Sequence, residues 1–134
     1  MKKTKIRSYA KLNLALNITG KISSLHKIET IVVFVSLHDQ IIIERAKSQK
    51  HNILFTGKFS QNIGKNNTVL KLLKVLEQKN LLKNKKFKIK INKLIPNKAG
   101  LGGGSMNAAS ILNYFVKKKI IKTSKKELVT ISKL

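Results

Sequence analysis

The chain lacks cysteine and tryptophan, has a single proline, and carries only 5 acidic residues among 134. Without cysteine there are no disulfides and no thiolate chemistry. Aromatic residues make up 5% of the sequence, too few for the base-stacking platforms of many RNA-binding modules. Long apolar runs are missing as well. The longest, IVVFV, has five residues, far below the ~20 that a membrane-spanning helix requires. The basic start MKKTKIRSYAK is not followed by the apolar core of a signal peptide. The expectation is a cytoplasmic protein without membrane contact.

What the chain has in excess is positive charge: 29 Lys and Arg against 5 Asp and Glu, a net charge of +24. The lysines are scattered almost evenly and accompanied by many Asn and Ile, which reads as a solvated basic surface more than as one binding patch. With 42% hydrophobic residues, residues 1–134 form one domain's worth of chain, able to bury roughly two thirds of its unfolded surface.

The apolar pattern divides into two regimes. KIRSYAKLNLALNITG alternates Leu12, Leu14 and Leu16 with Lys11, Asn13 and Ala15, the period of a strand, with a tight turn at Gly20. HKIETIVVFVSL, residues 26–37, reads as a second and mostly buried strand. QIIIERA, entered through Asp39, and HNILFTG follow as shorter strands, giving about four in the N-terminal half. From there Val69, Leu72, Leu73 and Leu76 fall at helical spacing, with Asn66 or Asn67 as cap. FKIKINKLI returns to period two, with Phe87, Ile89 and Ile91 on one face. Ala108, Ile111, Leu112 and Phe115 mark a second helix, and residues 124–134 begin a third with Ser124 as cap.

Between the last strand and the second helix lies IPNKAGLGGGSMNAASIL, with four glycines at 100, 102, 103 and 104. A strand that delivers the chain to a helix N-terminus presents unpaired N–H groups and the positive end of the helix dipole, a combination that suits phosphate. Glycines permit positive φ and let successive amides converge on an anion. Ser105 adds a hydroxyl and Lys98 a charge. A Walker loop would need Gly-Lys-Ser/Thr, but Gly104 is followed by Ser105 and Met106. A dinucleotide fingerprint begun at Gly100 would want glycine at 105.

IPNKAGLGGGSMNAA resembles the phosphate loop of the GHMP kinases, the superfamily of galactokinase, homoserine kinase and mevalonate kinase. GLGGGS, together with AKLNLALNITGK at 10–21 and LHKIETIVVFVSLHDQIIIE, is similar to the branch acting on 4-diphosphocytidyl-2-C-methyl-D-erythritol in the non-mevalonate isoprenoid route. The resemblance implies an α+β domain of the ribosomal protein S5 domain 2-like type, the GHMP N-terminal domain without its C-terminal partner domain. It implies transfer of the ATP γ-phosphate to the substrate 2-hydroxyl with Mg²⁺ assisting. The ATP loop would be Pro96, Asn97, Lys98, Ala99, Gly100, Leu101, Gly102, Gly103, Gly104, Ser105 and Met106. Lys11 would be the active-site lysine, Asn13 would position substrate and His26 would face the cytosine ring. Asp39 and Glu29 read as turn and surface residues, and no protein-held metal site is expected.

Three departures accompany the match. Ser23 to Leu25 stand where the family usually has Asp-Gly-Tyr, so the aromatic partner of the base is missing. Met106 replaces a second serine. ELVTISKL resembles the helix that leads into Gly-Ala-Asp-Val-Pro, whose aspartate is the family's proposed base, and the expectation is an N-terminal portion with little activity by itself. Another GHMP specificity, of homoserine or mevalonate type, and a basic RNA-binding module with an S5-like fold remain as alternatives. The oligomeric state is left open.

Overall fold

The computed structural model of this chain describes residues 3–133. Period-two alternation builds one mixed sheet from β1 (Thr4–Ile22), β2 (Leu25–Arg45), β3 (Asn52–Thr56) and β4 (Phe87–Asn92), in the order β1-β2-β4-β3. β1 and β4 run antiparallel to β2, whereas β3 runs parallel to β4. A parallel neighbour requires a crossover, and α1 (Thr68–Gln78) supplies it. α2 (Gly103–Lys117) follows β4, and α3 (Lys125–Ile131) ends the described chain. This mixed α+β architecture with one sheet matches the class expected from the sequence.

The helices cover the sheet face on which Ile41, Ile43, Phe87, Ile89 and Ile91 lie, and all five are fully buried. α1 turns Val69, Leu72, Leu73 and Leu76 toward them, and α2 contributes Ile111 and Phe115. The Phe87 and Phe115 rings meet at 4.7 Å between centroids with a tilt of 37°, a favoured aromatic arrangement. Of the two candidate caps for α1, Asn67 is the one used, its Oδ1 accepting the Leu70 N–H at 3.0 Å. Ser124 caps α3 as expected, accepting the Glu127 N–H at 3.1 Å.

The sequence reading of the N-terminal half needs three corrections. Residues 26–37 and QIIIERA are not two strands but parts of the single β2, so this half contains three strands. Nor is 26–37 mostly buried: Ile31 is 62% exposed and Phe34 61%. The reason is topological, because β4 pairs β2 only from Gln40 to Arg45 while β1 pairs it from Leu25 to Ile43, with register shifts along the way. Beyond Asp39, β1 and β2 form a two-stranded ribbon that has left the body of the sheet and its helices. The turn is also displaced from Gly20. Ile22 pairs Leu25 across Ser23 and Ser24, and Gly20 pairs Lys27 inside the ribbon next to a register shift.

Candidate functional site

The face parity that buries Ile89 and Ile91 continues to Lys93, and the parity that buries Ile41 and Ile43 continues back to Asp39. Both charged side chains therefore point into the core, where Asp39 is fully buried and Lys93 nearly so. They form an ion pair there. An unpaired interior charge is costly, and Asp39 is surrounded by further donors. Its Oδ1 accepts the backbone N–H groups of Leu94 at 2.7 Å and Ile95 at 2.8 Å. Its Oδ2 accepts Asn107 Nδ2 at 2.9 Å. The expected turn residue Asp39 is instead a buried hub inside β2. Glu29, by contrast, is exposed on the ribbon as expected.

From Ile95 the chain enters the glycine loop. Gly100 and Gly102 adopt φ of 72° and 67°, and Lys98, at φ 57°, shares that left-handed region. Gly102 caps α2 without any side-chain hydrogen bond. The first helical bond runs from the Met106 N–H to the Gly102 carbonyl at 2.8 Å, so the N–H groups before it have no acceptor within the helix. Every residue from Pro96 to Ser105, with Thr68 opposite, lines a concavity of 250 Å³. At its wall Thr68 Oγ1 donates to the Gly104 carbonyl at 2.7 Å, so α1 braces the start of α2.

Lys11 reaches this region from β1. Its backbone N–H donates to the Leu101 carbonyl at 3.1 Å. Its side chain runs past Gly102, where an added Cβ would lie 3.9 Å from Lys11 Cε. Lys11, Thr68, Gly102, Ser105 and Met106 share a second cavity of 340 Å³ that adjoins the first. The structure thus brings Lys11 together with the whole stretch Pro96 to Met106. Asn13 lies two pairs further along the ribbon, opposite Val32, and its Oδ1 accepts Thr30 Oγ1 at 3.4 Å. His26 pairs with Lys21 near the ribbon tip. That is ten positions along β1 from Lys11, roughly 33 Å of extended strand. His26 is therefore not gathered with the loop.

The groups with displaced pKa values sit away from both cavities. Burial pushes the His51 imidazole below its ordinary 6.5. Its Nδ1 accepts the Phe87 N–H at 3.1 Å, which leaves Nε2, 3.1 Å from Glu77 Oε1, to carry the proton. The hydrogen bond from Lys86 holds the Glu77 carboxyl below its ordinary 4.5. Among the described residues, no group of three or more His, Cys, Asp or Glu side chains is placed to hold a metal ion. No described helix is long and apolar enough to cross a membrane.

Residues 67–134, from the α1 cap through the glycine loop, match the GHMP kinases N terminal domain. The chain belongs to the GHMP kinase family. A 4-diphosphocytidyl-2-C-methyl-D-erythritol kinase of Pelagibacter ubique is 58% identical over 132 residues, covering 98% of this chain and 47% of the relative. A protein of the same name from Thermoanaerobacter pseudethanolicus is 34% identical over 113 residues, covering 84% of this chain and 38% of the relative. Among solved structures, a 4-(cytidine 5'-diphospho)-2C-methyl-D-erythritol kinase superposes with a TM-score of 0.70 at 24% identity, over 97% of this chain and 45% of that one. This GHMP chain spans less than half the length of these relatives.

Sequence reasoning misread Asp39 as a turn residue and gave no role to Lys93, Asn107 and Thr68. Three of them had a signal. Asp39 and Lys93 extend buried period-two rows by one step, and Asn107 precedes Ile111 by four residues on the buried stripe of α2. Thr68, the first residue of α1, had none, because only the tertiary fold brings it against Gly104.

Proposed function

We propose that this GHMP chain is the ATP-binding half of a kinase that transfers the γ-phosphate of ATP to the 2-hydroxyl of 4-diphosphocytidyl-2-C-methyl-D-erythritol in the non-mevalonate isoprenoid route, in the cytoplasm. One observation carries the reading: the N-terminus of α2, whose Gly102 cap offers no side-chain hydrogen bond, opens into a bare glycine concavity with Lys11 and Ser105 at its side. In phosphoryl transfer the protein acts mainly by positioning and charge neutralisation. The amides at the start of α2 would receive the β- and γ-phosphate oxygens, and the Lys11 ammonium would lie between the phosphate and the acceptor hydroxyl.

In the proposed step the substrate oxygen forms a bond to the γ-phosphorus, the bond to the β,γ-bridging oxygen breaks, and ADP leaves. None of the five carboxylates lines either cavity, so the base that accepts the hydroxyl proton is assigned to the half of the relatives that this chain does not span. Mg²⁺ would arrive on the triphosphate, since magnesium takes few protein ligands beside substrate phosphates. The hydroxyls of Ser105 and Thr68 line both cavities, and the ion would supply charge neutralisation at the transferred group.

Asn13 is proposed to hold the substrate beside Lys11. His26 is proposed to face the cytosine ring, which requires the ribbon tip to approach the site in the working enzyme. The choice of substrate rests on the 58% identity to the Pelagibacter ubique protein. The test incubates this chain with ATP, Mg²⁺ and the cytidyl substrate, with and without the C-terminal half of that relative as a separate polypeptide. Phosphorus NMR showing a new phosphomonoester only when both halves are present supports the reading. Transfer to homoserine or mevalonate in preference to the cytidyl substrate refutes it.

A further inference from the structure

The glycine loop poses a mechanical problem that the proposed function leaves unsolved. Glycines let amides converge on phosphate, but they also leave the backbone free to adopt many other shapes. An anion cradle works best when its geometry exists before the ligand arrives. Something must therefore fix the loop from outside its own sequence.

Asp39 contacts both ends of it. At the entry, its Oδ1 accepts the N–H groups of Leu94 and Ile95. At the exit, its Oδ2 accepts Asn107 Nδ2. Asn107 lies one turn into α2 and makes this bond although its own Oδ1 finds no partner. Lys93, paired to the same Oδ2, reaches beneath the first residue of the helix, where a Cβ on Gly103 would lie 3.2 Å from its ammonium. Asp39 itself is held in β2 by its pairing with Ser8 of β1, and the β4 pairing of β2 begins at the next residue, Gln40.

We propose that Asp39 is the positioning residue of the glycine loop: one buried carboxylate that sets the distance between the end of β4 and the start of α2, acting through Lys93 and Asn107. It does not touch the phosphate, and the Lys93 ammonium, already paired, adds no free charge to the cradle. The proposal rests on the reading of the loop as a phosphate site.

The test uses amide hydrogen exchange and nucleotide titration on this chain. Lys11 N–H and Met106 N–H bond to Leu101 and Gly102 rather than to Asp39, so they report loop shape and not merely lost Asp39 contacts. In Asp39→Asn we expect their exchange to accelerate on the order of tenfold while core amides of β4 and α1 stay within about twofold. The dissociation constant for ATP should rise on the order of tenfold with that for adenosine unchanged, which uniform destabilisation would not produce. If Asp39→Asn does not fold, two variants carry the same readings. Asp39→Asn with Lys93→Met removes both buried charges together, and Asn107→Ala leaves the ion pair intact. Unchanged Lys11 and Met106 exchange in folded variants, or equal weakening of ATP and adenosine, overturns the proposal. Wild-type chain that binds no ATP, with exchange still altered in the variants, overturns the phosphate reading and leaves the positioning role standing.

Discussion

The backbone N–H of Lys11 donates to the Leu101 carbonyl at 3.1 Å, and this bond joins the first strand to the glycine loop across 90 residues of sequence. It brings two motifs far apart in sequence to one place in the fold. β1 cannot shift along β2 without dragging the loop, and the Lys11 ammonium is delivered to the flank of Gly102 by the same attachment.

Replacing Lys11 should therefore weaken phosphate binding without unfolding the protein. Lys11→Met keeps the strand and the apolar stem while removing the charge. A charge-assisted contact is worth roughly 1.5–3 kcal/mol, so the ATP dissociation constant should rise on the order of tenfold or more. Isothermal titration with ATP checks this, and the difference between the two proteins should shrink at high salt.

The glycines should differ among themselves in their response to alanine. Gly100 has open space around it and a φ of 72°, so alanine there costs only the left-handed backbone, about 1 kcal/mol. Gly57 combines a φ of 94° with the Lys93 carbonyl oxygen and nitrogen at 2.8 and 2.9 Å from an added Cβ. Gly57→Ala, outside the glycine loop, should cost several times more in urea denaturation than Gly100→Ala. Gly103→Ala should fall between them, since the Cβ would sit 3.1 Å from Ile95 Cγ2.

The ribbon and the core should separate cleanly in stability. Phe34 is 61% exposed and Phe115 fully buried. Phe34→Ser should change unfolding free energy by less than ~0.5 kcal/mol, whereas Phe115→Ala should cost about 3–5 kcal/mol. Thermal and chemical denaturation of the two variants gives the comparison.

His51 gives the stability a pH dependence of known sign. Burial lowers its folded-state pKa below the ordinary 6.5, so the unfolded chain binds the proton first. Its contribution is complete above that ordinary value and is lost as pH falls toward the folded-state value. Glu77, held below 4.5 by Lys86, adds a second loss at still lower pH. The melting temperature should fall as pH drops below about 6.5, and His51→Asn should flatten that part of the profile.

Much of this was legible in the residues. Phe87, Ile89 and Ile91 announced β4, the four apolar residues of α1 announced its face, and Asn67 and Ser124 cap as their side chains allow. The glycine loop was readable because strand, bare backbone and helix follow one another locally. The exposure of residues 26–37 was not readable, because an apolar run looks the same whether a helix covers it or the strand has outrun its neighbours. Asp39 was misjudged for a related reason. Taken as a single acidic residue between apolar runs it resembles a turn, and only the register that puts Lys93, Asn107 and two backbone amides around it makes burial tolerable.

The most direct test of the account is an amide chemical-shift titration of the chain with ATP. If the loop is a triphosphate cradle, saturable shifts should be largest at Gly102, Gly103, Gly104 and Ser105, should extend to Lys11, and should be much weaker with adenosine. Small shifts spread over the lysine-rich surface, with the four loop amides unmoved, would contradict it.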